Sequence, residues 1–268
     1  MDKVGFIGTG NMGGALVRAA CKAYTRKKIL IANRTEAKSF SIAEETGCCV
    51  STPEEIAKTC DMIFLGVKPQ GMEGLLSSLA PIFGERQDAF TLVSMAAGLE
   101  IVTLQAMAGS DYPVIRMMPN TPVAVGEGVI LYDCSQKVTG QTEEFFRELF
   151  RFGGLLDRLP EALIDAGSAI AGCGPAFASL FLEALADGAV ACGLPRQKAI
   201  RNGAQMLAGT GKLALETGMH PGQIKDGVCS PGGSTIAGVE ALEKGAFRGS
   251  TMEAVKKAYL RNKELGKK

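Results

Sequence analysis

Val4-Gly5-Phe6-Ile7-Gly8-Thr9-Gly10-Asn11-Met12-Gly13 reads as a buried β-strand running straight into a glycine loop that opens a helix. The Gly-x-Gly-x-x-Gly spacing alone says little in a chain with 34 glycines. Between a strand and a helix, however, each glycine has a task. Gly8 permits the tight turn, Gly10 lets the backbone approach a pyrophosphate, and Gly13 lets helix and strand pack closely. The first N–H groups of the helix and its positive dipole end then face the phosphates. The bland alternative is a strand–helix turn without a ligand.

The next strand selects the dinucleotide. A site selective for NAD ends this strand in a carboxylate that accepts the ribose 2′-hydroxyl. Here Ile29-Leu30-Ile31-Ala32 runs into Asn33-Arg34-Thr35. Nothing there repels a 2′-phosphate, and Arg34 can grip one through charge-assisted bonds. The expected cofactor is therefore NADP(H), with NAD(H) second, unless Arg34 is only a solvated loop cation.

Further along, short β-rich runs alternate with helical patterns, the signature of a parallel sheet covered by helices. Strands are expected at 3–7, 28–32, 62–67, 89–95, 114–117 and 129–132. Thr52-Pro53-Glu54-Glu55 is a helix start, with Thr as cap and Pro at the first position. A helix over 139–152 is expected to bury Phe145, Leu149 and Phe152, with Glu143 and Arg147 four apart on another face. Beyond residues 158–165 Val and Ile thin out and the periods become helical. Phe177, Leu180, Phe181, Ala184 and Leu185 mark one buried helix face, and further helices are expected at 195–217, 235–242 and 251–265. The fold class is α/β: a Rossmann-type parallel-sheet domain, residues 1–160, followed by an all-helical domain, residues 161–268.

Composition narrows the function classes. Apolar residues make up 46% of the 268 and charged residues 21%, ordinary globular usage. Lys plus Arg is 29 against 28 for Asp plus Glu, so no basic surplus points to nucleic acid. No secretory-leader pattern opens the chain. The longest uncharged run, 166–182, is shorter than the ~20 residues of a membrane helix and is broken by Gly172, Gly174 and Pro175. Eight cysteines without a Cys-x-x-Cys pair, and a single histidine, argue against a metal site. These features predict a cytoplasmic protein with no membrane, nucleic-acid or metal partner. An Ala- and Gly-rich helical half has apolar surface to spare, which an intertwined dimer would cover.

Acid–base groups are scarce. His220, in Gly218-Met219-His220-Pro221, reads as a surface or capping residue, and Lys68, just after a strand, is the better-placed candidate. That scarcity suits reduction of a C=N bond, where a protonated imine already accepts hydride and the protein need only orient it. A second glycine-rich stretch, Cys229-Ser230-Pro231-Gly232-Gly233-Ser234-Thr235, precedes a helical run. Ser234 or Thr235 can cap that helix while successive N–H groups make an anion nest for a substrate carboxylate. A plain turn with a cap is the equal alternative.

Val4–Met12, Val67-Lys68-Pro69-Gln70, Met118-Pro119-Asn120-Thr121-Pro122, Ala171-Gly172-Cys173-Gly174-Pro175-Ala176-Phe177 and Ser230–Glu243 together resemble the pyrroline-5-carboxylate reductase family, in order along residues 3–265. The resemblance implies hydride transfer from NADPH, or sometimes NADH, to 1-pyrroline-5-carboxylate, giving L-proline in the last step of its biosynthesis. It also implies a homodimer interlocked through the helical domain, or a larger homo-oligomer. By matching position, the implied cofactor contacts are Ile7, Gly8, Thr9, Gly10, Asn11, Met12, Gly13, Asn33, Arg34, Val67, Lys68, Pro69, Ala96, Ala97 and Gly98. The implied substrate contacts are Gly232, Gly233, Ser234, Thr235 and Glu161, with Thr235 the catalytic residue at the imine nitrogen. Cys173 departs from the serine that many members carry, which costs a good hydroxyl donor. Two rivals share the architecture: a hydroxy-acid dehydrogenase or other imine reductase, and a non-catalytic NADP-binding sensor.

Overall fold

Val4–Ile7 (β1) and Met62–Leu65 (β4) are buried along their whole length. That is why they read as apolar runs: the interior of a parallel sheet is covered on both faces. The computed structural model describes residues 1–265. Its remaining strands are Ile29–Ala32 (β2), Cys49–Val50 (β3), Thr91–Ser94 (β5), Val114–Pro119 (β6), Gly128–Cys134 (β7) and Gly154–Arg158 (β8). All lie in one sheet of order β3-β2-β1-β4-β5-β6-β7-β8. The order reverses between β1 and β4, which opens a crevice at their carboxyl ends. Only β6 and β7 pair antiparallel among the described strands; a short 3-10 turn, Thr121–Val125, joins them where a parallel pair would need a long crossover.

The helices are Asn11–Ala23 (α1), Glu36–Thr46 (α2), Pro53–Thr59 (α3), Pro69–Glu85 (α4), Ile101–Ala108 (α5), Gly140–Leu149 (α6), Glu161–Ala171 (α7), Gly174–Ala191 (α8), Arg196–Thr217 (α9), Pro221–Gly227 (α10), Ser234–Lys244 (α11) and Phe247–Leu265 (α12). One core contains Phe6, Leu16, Phe64 and Phe146 and ties the sheet to α1 and α6. There Phe6 and Phe64 stack with ring centroids 4.4 Å apart. A second core contains Ile7, Ile63, Leu76 and Leu104 and ties it to α3, α4 and α5. Alternate residues of one strand thus feed both layers. As the sequence suggests, Thr52 caps α3 by accepting from the Glu55 N–H at 3.2 Å, with Pro53 opening the helix.

Several local expectations change. β3 and β8 were not expected: β3 is only two residues long, and the half-buried β8 lacks a clear apolar run. Helix α6 stops at Leu149, which is buried as expected; the fully buried aromatic residues are Phe146 and the C-cap Phe150, Phe145 is partly buried, and Phe152 is 45% exposed. Past the helix end the chain turns at Gly154 (φ 119°), and Phe152 lies under the Arg151 guanidinium instead. Glu143 and Arg147 do not pair with each other; both bond the Tyr132 hydroxyl, at 2.9 and 3.0 Å. Helix α10, which follows the His220 turn, could be given no bounds from periodicity because its seven residues include three that favour turns, Pro221, Gly222 and Gly227. His220 is indeed a capping residue: Nδ1 accepts from Gly222, and Gln223 reaches back to the His220 N–H.

Two compact units divide the chain. Among the described residues one comprises 1–173 and 258–265; the other is Gly174–Lys257. Helix α7 packs on β6 and β7 within the first unit. In the second, α8 packs on α9, and Phe181 meets Phe247 with centroids 5.4 Å apart. The face expected to be buried is continuous but open: Leu180 is 68% exposed. With Phe177, Phe181, Leu185, Leu242 and Phe247, Leu180 lines a groove of about 400 Å³. The stretch Glu161–Ala191 is long and apolar enough to cross a membrane by length and composition. In the fold it is two helices, α7 and α8, divided at Gly172-Cys173. All eight cysteines are unpaired.

Candidate active site

Pairing registers place Ala32, Ile7, Leu65, Ser94 and Arg116 side by side at one edge of the sheet. The expected cofactor segments leave from this row: Gly8–Gly13 after β1, Asn33-Arg34 after β2, Gly66–Pro69 after β4 and Ala96–Gly98 after β5. Segments separated by up to ninety positions in the chain are thereby brought to one crevice.

Two of the glycines are required by the protein itself. Gly8 has φ 98°, and a Cβ there would lie 2.4 Å from the Gly66 carbonyl oxygen. A Cβ at Gly13 would lie 2.1 Å from the Gly8 oxygen. Gly10 is different: a Cβ there meets no protein atom within 4 Å. Open space over Gly10 is what a closely approaching pyrophosphate needs. The N-terminus of α1, for which Gly10 is the N-cap, has neither a side-chain cap nor an acidic residue in its first turn. Its N–H groups are free for an anion. Thr9 Oγ1 is buried with no hydrogen-bond partner, and Thr9, Gly10, Asn11, Arg18, Lys38 and Ser41 line a cleft of about 330 Å³. These residues fit a dinucleotide phosphate.

Asn33 has an internal duty. Its Oδ1 accepts from the Thr9 N–H at 3.0 Å and its Nδ2 donates to the Thr35 carbonyl, so it ties the glycine loop to β2. Arg34 is exposed and makes no ion pair among the described residues. Lys38, four positions on, is likewise exposed, whereas Arg18 is held by Glu45 through bonds of 2.7 and 2.6 Å. Val67 is half-buried, Lys68 is the exposed N-cap of α4, and Pro69 is the first residue of that helix. Ala96 is buried, Ala97 is half-buried, and Gly98 turns the chain with φ 76°.

Glu161, expected near substrate, has its Oε1 occupied. It accepts from the Ile101 N–H at 2.7 Å and lies 3.4 Å from the Arg116 guanidinium. Gly66 and Arg116 were missed in the sequence. Gly66 is needed because the chain leaving β4 runs against the turn that leaves its parallel neighbour β1: a Cβ there would lie 2.2 Å from the Gly8 oxygen. The one available signal was a glycine directly after a buried strand.

The expected substrate loop, Gly232–Thr235, lies in the second unit. Ser230–Gly233 is a turn closed by Gly233 N–H donating to the Ser230 carbonyl at 3.0 Å, with Pro231 second and Gly232 third at φ 68°. That residue order is what a type II turn requires. Contrary to expectation, neither Ser234 nor Thr235 caps α11; Gly233 is the N-cap and no side chain closes the helix end. Ser234 and Thr235 instead form its exposed first turn, whose N–H groups no side chain caps.

Residues 161–265 match the family model for pyrroline-5-carboxylate reductase dimerisation, and residues 3–98 match that for NADP oxidoreductase, coenzyme F420-dependent. Pyrroline-5-carboxylate reductase of Arabidopsis thaliana is 39% identical over 98% of this chain and 95% of its own length. The chain belongs to the pyrroline-5-carboxylate reductase family. Solved structures with the family's name agree. That of Plasmodium falciparum, with NADP bound, superposes with a TM-score of 0.88 at 31% identity, covering 98% of both chains. That of Coxiella burnetii reaches 0.90 at 29% identity, covering 100% of this chain and 99% of the other.

Proposed function

We propose that the chain reduces 1-pyrroline-5-carboxylate to L-proline with NADPH, the last step of proline biosynthesis. The observation that carries this reading is end-to-end similarity to reductases of that name, 39% identity over 98% of the chain. NADP(H), when bound, supplies the hydride. Gly8 to Gly13 hold its pyrophosphate on the α1 N-terminus, and Arg34, with Lys38 one turn on, supplies positive charge for the 2′-phosphate. Val67–Pro69 and Ala96–Gly98 frame the crevice for the reactive end. The Gly232–Thr235 turn receives the substrate carboxylate on free N–H groups, and the Thr235 hydroxyl meets the ring nitrogen. Scarce acid–base groups suit this chemistry better than alcohol oxidation.

Residues 1–160 serve the cofactor and 161–268 serve substrate binding and self-association. The open α8 groove is covered by a second copy in an intertwined homodimer, not by lipid, because the dimerisation model spans it. Eight unpaired cysteines suit the cytoplasm.

Purified protein should consume NADPH, followed at 340 nm, only when 1-pyrroline-5-carboxylate is added, and should have at least twice the chain mass of 28.1 kDa by light scattering. Turnover of 3-hydroxy acids with NADP instead would favour a hydroxy-acid dehydrogenase. NADPH binding without any turnover would favour a sensor.

A further inference from the structure

Among the described residues the largest fully buried side chain belongs to one that the proposed chemistry does not use: Arg116 on β6 is 1% exposed. It stands beside Ser94, the last residue of β5, in the row from which every cofactor segment departs. Its guanidinium pairs with Asp165 at 2.6 Å and with Glu161 at 3.4 Å, both on α7. Buried charges of this kind are costly to desolvate and weak evidence for stability alone. What they do provide here is geometry.

Glu161 is held at three points. Its own N–H donates to Asp133 Oδ2 at 2.7 Å, and Asp133 is the β7 residue directly across from Arg116. Its carboxylate faces Arg116, and the same Oε1 accepts the Ile101 N–H. Ile101 is the first residue of α5, whose N-cap, Glu100, makes no side-chain cap. The helix end is therefore capped from sixty residues away, by a carboxylate that also suits its dipole. Only Leu99 and Glu100 separate Ile101 from the Ala96-Ala97-Gly98 turn.

We propose that Arg116 is a positioning residue for the reactive end of the cofactor: by aiming Glu161 at the α5 N-terminus it fixes the Ala96–Gly98 turn at the crevice. This rests on the reading of Ala96–Gly98 as a nicotinamide contact. A turn left to wander by an ångström disturbs both binding and the approach of the transferred hydrogen, a loss that can reach about a hundredfold in rate.

Arg86 supplies a matched control. Its side chain is 4% exposed, and it donates to the Ala57 and Cys60 carbonyls at 2.7 and 2.8 Å, ahead of β4 and so at the opposite end of the strands. Arg116→Met and Arg86→Met should both lower the melting temperature. Only Arg116→Met should weaken NADPH binding, measured without substrate, by about tenfold. Only it should raise the primary deuterium isotope effect on turnover with NADPH deuterated at the transferred position. Wild-type NADPH affinity and isotope effect in a folded Arg116→Met protein would overturn the proposal. Should that variant fail to fold, Glu161→Ala, which removes the acceptor from Ile101, is expected to lose affinity in the same way, and unchanged affinity there is equally fatal. A wild-type enzyme that binds NADPH but ignores 1-pyrroline-5-carboxylate would sink the functional reading while leaving the affinity comparison intact.

Discussion

Gly10→Ala is expected to raise the KM for NADPH at least tenfold while leaving the melting temperature unchanged or up to about 2 °C higher. Gly10 has φ −67°, a backbone alanine adopts without strain, and its Cβ would touch no protein atom. A compatible Gly→Ala change stabilises by about 0.4–1 kcal/mol through the unfolded chain, worth roughly 2 °C in a chain of this size. The same methyl group fills the space over the α1 N-terminus that the pyrophosphate must enter. Tenfold corresponds to about 1.4 kcal/mol, less than the loss of one charge-assisted phosphate contact. Gly8→Ala is the contrasting case, because its Cβ would strike the Gly66 oxygen and its φ is left-handed. Steady-state kinetics and a thermal melt of the Gly10 variant decide the matter. A normal KM for NADPH would remove the phosphate from this loop.

Thr235→Val should lower kcat about a hundredfold with 1-pyrroline-5-carboxylate, with the KM for NADPH unchanged. Valine keeps the branched shape and loses only the hydroxyl. Thr235 is exposed in the first turn of α11, where it makes no hydrogen bond within the described chain, so folding should not notice the change. A hydroxyl aimed at the nitrogen whose charge changes in the reaction contributes mainly in the transition state, and removing one such donor costs about 10² in kcat. Equal kcat in a folded Thr235→Val protein would leave the α11 turn with a binding role alone.

The glycine loop was legible because strand, turn and helix follow one another in ten residues, so the spacing of its glycines can be read in one short stretch. Gly66 was not, since its need for a bare Cα arises only when β4 is laid beside β1. Arg116 hid for a related reason. It sits within a run otherwise read as an apolar strand, and its partners Glu161 and Asp165 lie 45 and 49 residues away. Phe152 was misplaced because helical periodicity carries no record of where the helix stops. The open α8 face shows the converse: the apolar pattern was right, but within its unit only part of the face finds a partner, Phe181 on Phe247, while Leu180 stays exposed.

The path of the transferred hydrogen decides whether the chain is a reductase of this imine. The protein is incubated with 1-pyrroline-5-carboxylate and NADPH carrying deuterium at the transferred C4 position, and the product is examined by mass spectrometry and NMR. L-proline with one deuterium at C5 is the expected product. Unlabelled proline, or no proline while NADPH remains bound, would contradict that reading.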